Sequence, residues 1–202
     1  MSIVKFKVEF SANAAPSDGR IGELSEWCFR FNECGLTPRL NGTGRSLGNL
    51  SFRVEPGKPD FIITGSTLDS KEKLARADFV KVVQSDWERK IVVAEGKRDP
   101  SSESMLHYEI YRRRPDVGAI FHGHNKEITA NIRLLGLPET GKEALPGTAE
   151  LLGEVMKILD KANFLVMKNH GFLALGKTMA EAGNLALRIR EKTGCRLQAV
   201  RR

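Results

Sequence analysis

Residues 100–125 read PSSESMLHYEIYRRRPDVGAIFHGHN, and this stretch decides the fold. Pro100-Ser101-Ser102-Glu103 opens a helix: serine oxygens cap free backbone N–H groups, and an early glutamate suits the positive helix end. Met105, Tyr108 or Glu109, and Tyr111 to Arg112 continue the helix until Pro115 stops it. Val117 to His122 then reads as a buried strand. That strand ends in two of the chain's four histidines, His122 and His124. Residues i and i+2 of a strand share a face, ~6.6 Å apart, so the two imidazoles aim at one point. Gly123 between them predicts an open opposite face.

Outward from this unit, strands and helices interleave. Val4, Phe6, Val8 and Phe10 alternate with charged residues, a strand pattern with one wet face. Residues 21–33 form an amphipathic helix ended by Cys34-Gly35. A glycine-rich loop, Asn41 to Gly48, leads into a strand over 49–54, and a Pro-Gly turn leads into another over 60–64. Strands follow at 79–84 and 91–94. After the histidine pair come helices over about 125–135 and 148–162. A strand at 164–167, a turn at His170-Gly171 and a strand at 172–175 make a hairpin. Thr178 and Glu181 form a capping box that opens a last helix to about Thr193. Helices flanking a largely antiparallel sheet are the expected result. No linker divides the 202 residues, so one domain over 1–202 is expected, with 1–20 as an N-terminal strand extension.

Composition narrows the function classes. Charged residues are 28% and hydrophobic residues 41%, values of a globular protein. No apolar run approaches the ~20 residues of a membrane span, and the opening MSIVKFKVEF predicts no secretory signal. Three cysteines without metal-binding spacing fit reduced cytoplasmic thiols. The net charge of +7 is spread over the chain, without an aromatic-basic signature for nucleic acid. It remains compatible with an anionic small molecule.

His122 and His124 together make half a zinc site, and His170, at another strand end, is placed to be a third ligand. Three imidazoles with an open fourth position are the catalytic arrangement. Ordinary polar residues at strand ends would explain the same pattern. Glu103 returns to the same end of the sheet and is the acid/base candidate, although helix-start electrostatics also accounts for it. Ser101 and Ser102 offer an anion site or simple capping. The Gly42–Gly48 loop could add backbone N–H groups, yet lacks the P-loop pattern. Asn49 and Ser51 are ligand contacts or loop-fixing residues. His107, mid-helix, reads as structural.

Several pieces fall in one order: GNLSFR at 48–53, IITGS at 62–66, PSSE at 100–103, HYEIYRRRPDVGAIFHGH at 107–124, PGTAEL at 146–151 and KNHGFLALGKTMAEA at 168–182. This series, with the helix before it, resembles the class II aldolase/adducin family over about residues 21–193. The resemblance implies a three-layer α/β/α fold around a central, mostly antiparallel mixed sheet. It implies a divalent metal, usually Zn2+, on His122, His124 and His170, with Glu103 in the acid/base position. It implies phosphate binding by Asn49, Ser66, Ser101 and Ser102, and a homotetramer with sites near subunit interfaces.

The function so implied is metal-dependent aldol cleavage of a sugar phosphate or similar hydroxy-carbonyl compound through a stabilised enediolate. An epimerase, or a dehydratase of the methylthioribulose-phosphate type, uses the same residues. An adducin-like binding domain would need no ligand set. The chain departs from the family at Thr67, where glycine is usual, and in a longer glycine segment before Asn49. It also departs in its tyrosines, which are only Tyr108 and Tyr111, so the tail has none.

Overall fold

The computed structural model describes residues 6–40 and 42–200. The strand expected from Ile3 therefore begins outside the described residues. Its remainder is β1 (Lys7–Ala12). The elements that follow are α1 (Ile21–Glu33), β2 (Asn49–Arg53), β3 (Phe61–Thr64), β4 (Phe79–Asp86), β5 (Ile91–Glu95), α2 (Ser104–Arg113) and β6 (Ala119–Gly123). Then come α3 (Lys126–Ala130), α4 (Ile132–Leu135), α5 (Ala149–Met156), β7 (Phe164–Met167), β8 (Gly171–Gly176) and α6 (Met179–Val200).

The strands form one sheet in the order β1-β5-β4-β3-β2-β6-β8-β7. Only β1 against β5, at the edge, is parallel; the other neighbours are antiparallel. The expected mixed, mostly antiparallel sheet is therefore present. Strand alternation divides its side chains between two cores. Leu50, Phe52, Ile62 and Phe121 pack on one face with Leu24, Trp27 and Phe31 of α1 and Ala182, Ala186 and Ile189 of α6. Phe61, Ile63, Val82 and Ile120 pack on the other with Met105, Ile110 and Tyr111 of α2 and Leu151 and Val155 of α5. Helices on both faces give the α/β/α layering.

Local chemistry sets the element ends. Arg53 donates from Nη2 to the carbonyls of Tyr111 and Arg114, each at 2.8 Å, and from Nε to Val117 O at 2.8 Å. Of these, the Tyr111 carbonyl is one that the end of α2 leaves without an intrahelical partner, since Pro115, four residues on, has no N–H. The guanidinium also stacks 4.7 Å from the Tyr111 ring centre, which fixes α2 against β2. Thr178 Oγ1 accepts the Glu181 N–H at 3.1 Å, the first half of the expected capping box, while the Glu181 carboxylate accepts from Lys177 N at 2.8 Å, one residue before the N-cap.

Three helix boundaries differ from expectation. Residues 125–135 break at Asn131, whose side chain donates to Glu127 O at 2.8 Å, so α3 and α4 replace one helix. The helix from 149 stops at Met156, and a short 3-10 turn, Leu159–Lys161, completes the connection. α6 continues past Thr193 to Val200. No described helix is long and apolar enough to cross a membrane.

Candidate active site

The β2/β6 pair is the base of the site. Its register sets Asn49 directly opposite His122. β6 ends at Gly123, and His124 follows one step beyond. His170 lies in the turn between β7 and β8, after Asn169, which takes a left-handed φ of 54°. Since β8 is the other neighbour of β6, the turn delivers His170 to the same sheet end. One ligand atom from each of the three histidines lies within 4.8 Å of the others. Ring centres are 4.6 Å (His122–His124), 5.1 Å (His122–His170) and 5.2 Å (His124–His170) apart.

Backbone crowding makes this convergence possible. Gly48 has φ of 75°, and a Cβ there would stand 2.5 Å from His122 O. A Cβ on Gly171 would stand 2.4 Å from Gly123 O. The two main chains flanking β6 can thus approach only without side chains. The sequence predicts an open face across from the histidines at Gly123, and the structure corrects this. A Cβ there would meet Phe172 Cζ at 2.5 Å and Leu36 O at 2.8 Å, so Gly123 is required by packing.

Glu103 comes from the residue just before α2 and is 3% exposed. Asn49 Nδ2 donates to its Oε2 at 2.8 Å. The same oxygen lies 3.0 Å from His122 Nε2, and Oε1 lies 3.3 Å from His170 Nε2. His122 Nδ1 is 2.9 Å from Phe172 O. A carbonyl only accepts, so Nδ1 carries the proton and Nε2 presents its lone pair to Glu103. Burial, then the facing His170 imidazole, pushes His122 well below its ordinary pKa. Burial and the neighbouring His122 and His170 push His124 down to about 3. A neutral nitrogen lone pair and a carboxylate oxygen at contact distance are two acceptors, and a cation between them satisfies both. Glu103 Oε1 and His170 Nδ1 are also buried without hydrogen-bond partners. The residues present therefore fit a divalent metal held by three imidazoles.

The expected anion-binding residues gather beside this cluster. An isolated bridge between Gly65 and Pro100, with Ser66 N donating to Asp99 O at 2.9 Å, draws Ser66 beside Ser101 and Ser102. Asn49, Ser66, Ser101 and Ser102 line one cleft of about 160 Å3 with Glu103, His122, His124 and His170. Thr67 keeps a left-handed φ of 56°, so the path suited to glycine persists despite the side chain, at roughly 1–2 kcal/mol of strain.

Two expectations for the neighbourhood are corrected. The glycine loop does not offer a set of free amides. Thr43 and Gly44 N–H donate to Leu40 O, Ser46 to Leu68 O and Leu47 to Pro38 O. Asn41 lies outside the described residues. Ser51 is a core residue: its Oγ is 2.8 Å from both His107 Nδ1 and Tyr111 OH. His107 is fully buried in that network, and burial pushes it down to about 4. Lys71, which sequence reasoning passes over, lines the cleft at 2% exposure. Its context, SKEKLAR, reads as a solvated turn, and no local signal marks it.

Residues 32–197 match the family described as the Class II Aldolase and Adducin N-terminal domain. The chain is 31% identical over 162 residues to 5-methylthioribulose-1-phosphate/5-deoxyribulose-1-phosphate aldolase of Rhodospirillum rubrum, spanning 72% of this chain and 68% of that one. It is 38% identical over 85 residues to methylthioribulose-1-phosphate dehydratase of Acidiphilium cryptum, a match spanning 42% of this chain and 36% of the relative. Among solved structures, an L-fuculose 1-phosphate aldolase superposes with a TM-score of 0.72 at 26% identity, covering 93% of this chain and 89% of that one. Family model, relatives and fold agree with one another: the chain belongs to the class II aldolase and adducin family.

Proposed function

We propose that the protein is a metal-dependent aldolase that cleaves a phosphorylated ketose. One observation carries this: a buried carboxylate, Glu103, anchored by Asn49 and standing 3.0 Å from the lone-pair nitrogen of His122, in reach of His124 and His170. Structural packing alone does not call for two acceptors face to face in a core. His122, His124 and His170 would hold the metal, with zinc favoured by the imidazole set. When bound, the metal supplies charge stabilisation for the oxygen of the developing enediolate.

The chain's own residues supply the rest. The Phe172 carbonyl fixes the His122 tautomer. Asn49 holds one Glu103 oxygen, leaving Oε1 to take a proton from the substrate or return it to the carbanion carbon. Ser66, Ser101, Ser102 and Asn49 would bind phosphate and so set the register of the carbon chain. The names of the aldolase relatives support a ketose 1-phosphate as substrate. The dehydratase relative supports a second reading, since proton transfer beside a polarised carbonyl also begins loss of water. An adducin-like binding role leaves the buried Glu103 and the three histidines without a use. We take residues 1–202 as one catalytic domain acting in the cytoplasm. A homotetramer would cover Leu40 and Leu145, which are 43% and 66% exposed.

The test begins with metal content. Wild-type protein is expected to hold about one divalent ion per chain, and a folded His122→Ala, His124→Ala variant to hold none. A panel of ketose 1-phosphates then separates aldehyde release from loss of water. Failure of the wild type to bind metal, even when zinc is supplied, overturns the enzymatic reading.

A further inference from the structure

Lys71 belongs to none of the sets described above, yet it is among the most buried charged side chains of the molecule. Its Nζ donates to Ser46 Oγ at 2.9 Å, Leu47 O at 3.1 Å and Ser46 O at 3.4 Å. All three acceptors are neutral. Among the described residues, no carboxylate stands at ion-pair distance from it. A buried cation without a counter-ion is destabilising, and a methionine of similar length would fill the same space without that penalty. Burial accordingly pushes Lys71 down to about 8, with Cys28 acting in the opposite direction.

Lys71 opens onto the cleft that contains Ser66, Ser101 and Ser102. The amides of residues 43–47 are spent on Leu40 O, Thr43 Oγ1, Leu68 O and Pro38 O, so they bring no positive charge to that wall. Arg45 also lines the cleft but is half-buried on the loop. Lys71 is therefore the deeply buried cation of a site whose other anion contacts are neutral hydroxyls and an amide. Its cost to folding is explained when an anion completes it.

We propose that Lys71 is the fixed cation of the substrate's anion pocket, pairing with a phosphoryl group that Ser66, Ser101 and Ser102 also bind. This rests on the phosphorylated substrate proposed above, and names the charge that recognises it. Charge-assisted contacts are the strong ones in phosphate recognition.

The experiment is calorimetric titration of inorganic phosphate into wild type, Lys71→Gln and Lys71→Met, with metal content and circular dichroism recorded for each. Glutamine keeps a donor for the Ser46 and Leu47 carbonyls and lacks the charge, which separates charge from loop holding. Both variants are expected to keep their metal and lose about tenfold or more in phosphate affinity. Should Lys71→Met fail to fold, Lys71→Gln alone decides. Wild-type affinity in Lys71→Gln overturns the proposal. So does a wild type that holds metal and binds no phosphate, which leaves the metal centre standing. A wild type without either removes the enzymatic reading as well.

Discussion

Glu103→Gln should make the metal-free protein more stable while disabling it. In the wild type, Glu103 Oε2 receives Asn49 Nδ2 at 2.8 Å and confronts the His122 Nε2 lone pair at 3.0 Å. A glutamine amide in that position carries two hydrogens. One can go to His122 Nε2; the other can go to Asn49 Oδ1, which is now buried without a partner, once the Asn49 amide turns over. The substitution removes a buried charge and replaces an acceptor–acceptor contact with two neutral hydrogen bonds. The expected gain is about 2 kcal/mol, or about 4–8 °C in Tm for a chain of this size. With loss of the proton-transfer group proposed above, turnover is expected to fall roughly 10^2- to 10^4-fold. Urea and thermal unfolding of chelator-treated protein measure the first effect, and aldehyde release from the metal-loaded protein the second. A metal-free variant less stable than wild type would refute the acceptor–acceptor reasoning, because it would show that the carboxylate is already satisfied in the fold.

Two further outcomes test other parts of the structure. Gly183→Ala would place a Cβ 2.2 Å from Trp27 Cζ3, so it should lower stability by about 1–3 kcal/mol; as Gly183 does not line the cleft, metal content per folded chain should be unchanged, and an unchanged unfolding midpoint would contradict the packing of α6 on α1. Acid should destabilise the metal-free protein between about pH 6.5 and 4. His107 is pushed down to about 4 from 6.5 by burial, so below pH 6.5 the unfolded chain takes up a proton that the folded chain refuses. Its contribution is whole above 6.5 and lost as pH falls toward 4, roughly 3 kcal/mol in order of magnitude, with His122 and His124 adding in the same direction. A flat urea midpoint across that window would refute it.

Much of this was legible in the chain. The helix–strand unit from Pro100 to His124 announces itself through a serine-rich start, a proline stop and an apolar run, and the paired histidines follow from strand period alone. His170 needed the hairpin to be placed, and Glu103 needed the sheet. What could not be read depends on who packs against whom. Gly123 looks like an opening and is filled by Phe172, a residue from another strand. The glycine loop looks like an anion nest, yet its amides turn inward to Leu40, Leu68 and Pro38. Lys71 sits in a run of charges that reads as solvent-facing, and only the tertiary fold places it against Ser46 and Leu47. Asn131 divides a helical pattern through a single side-chain bond to the backbone, a choice that periodicity does not register.

The delivery of His170 by the β7–β8 turn has a bearing on how the protein is made. β8 hydrogen-bonds directly to β6, from Ala119↔Gly176 to Gly123↔Phe172, and its Phe172 carbonyl holds the His122 ring. A chain still emerging from the ribosome has His122 and His124 long before it has either the strand that orients them or the third imidazole. Non-local pairing of this kind closes late. Metal is therefore expected to enter a finished sheet, where it rewards folding already achieved instead of seeding it, and a truncation before residue 164 should yield a chain that neither completes the sheet nor retains the ion.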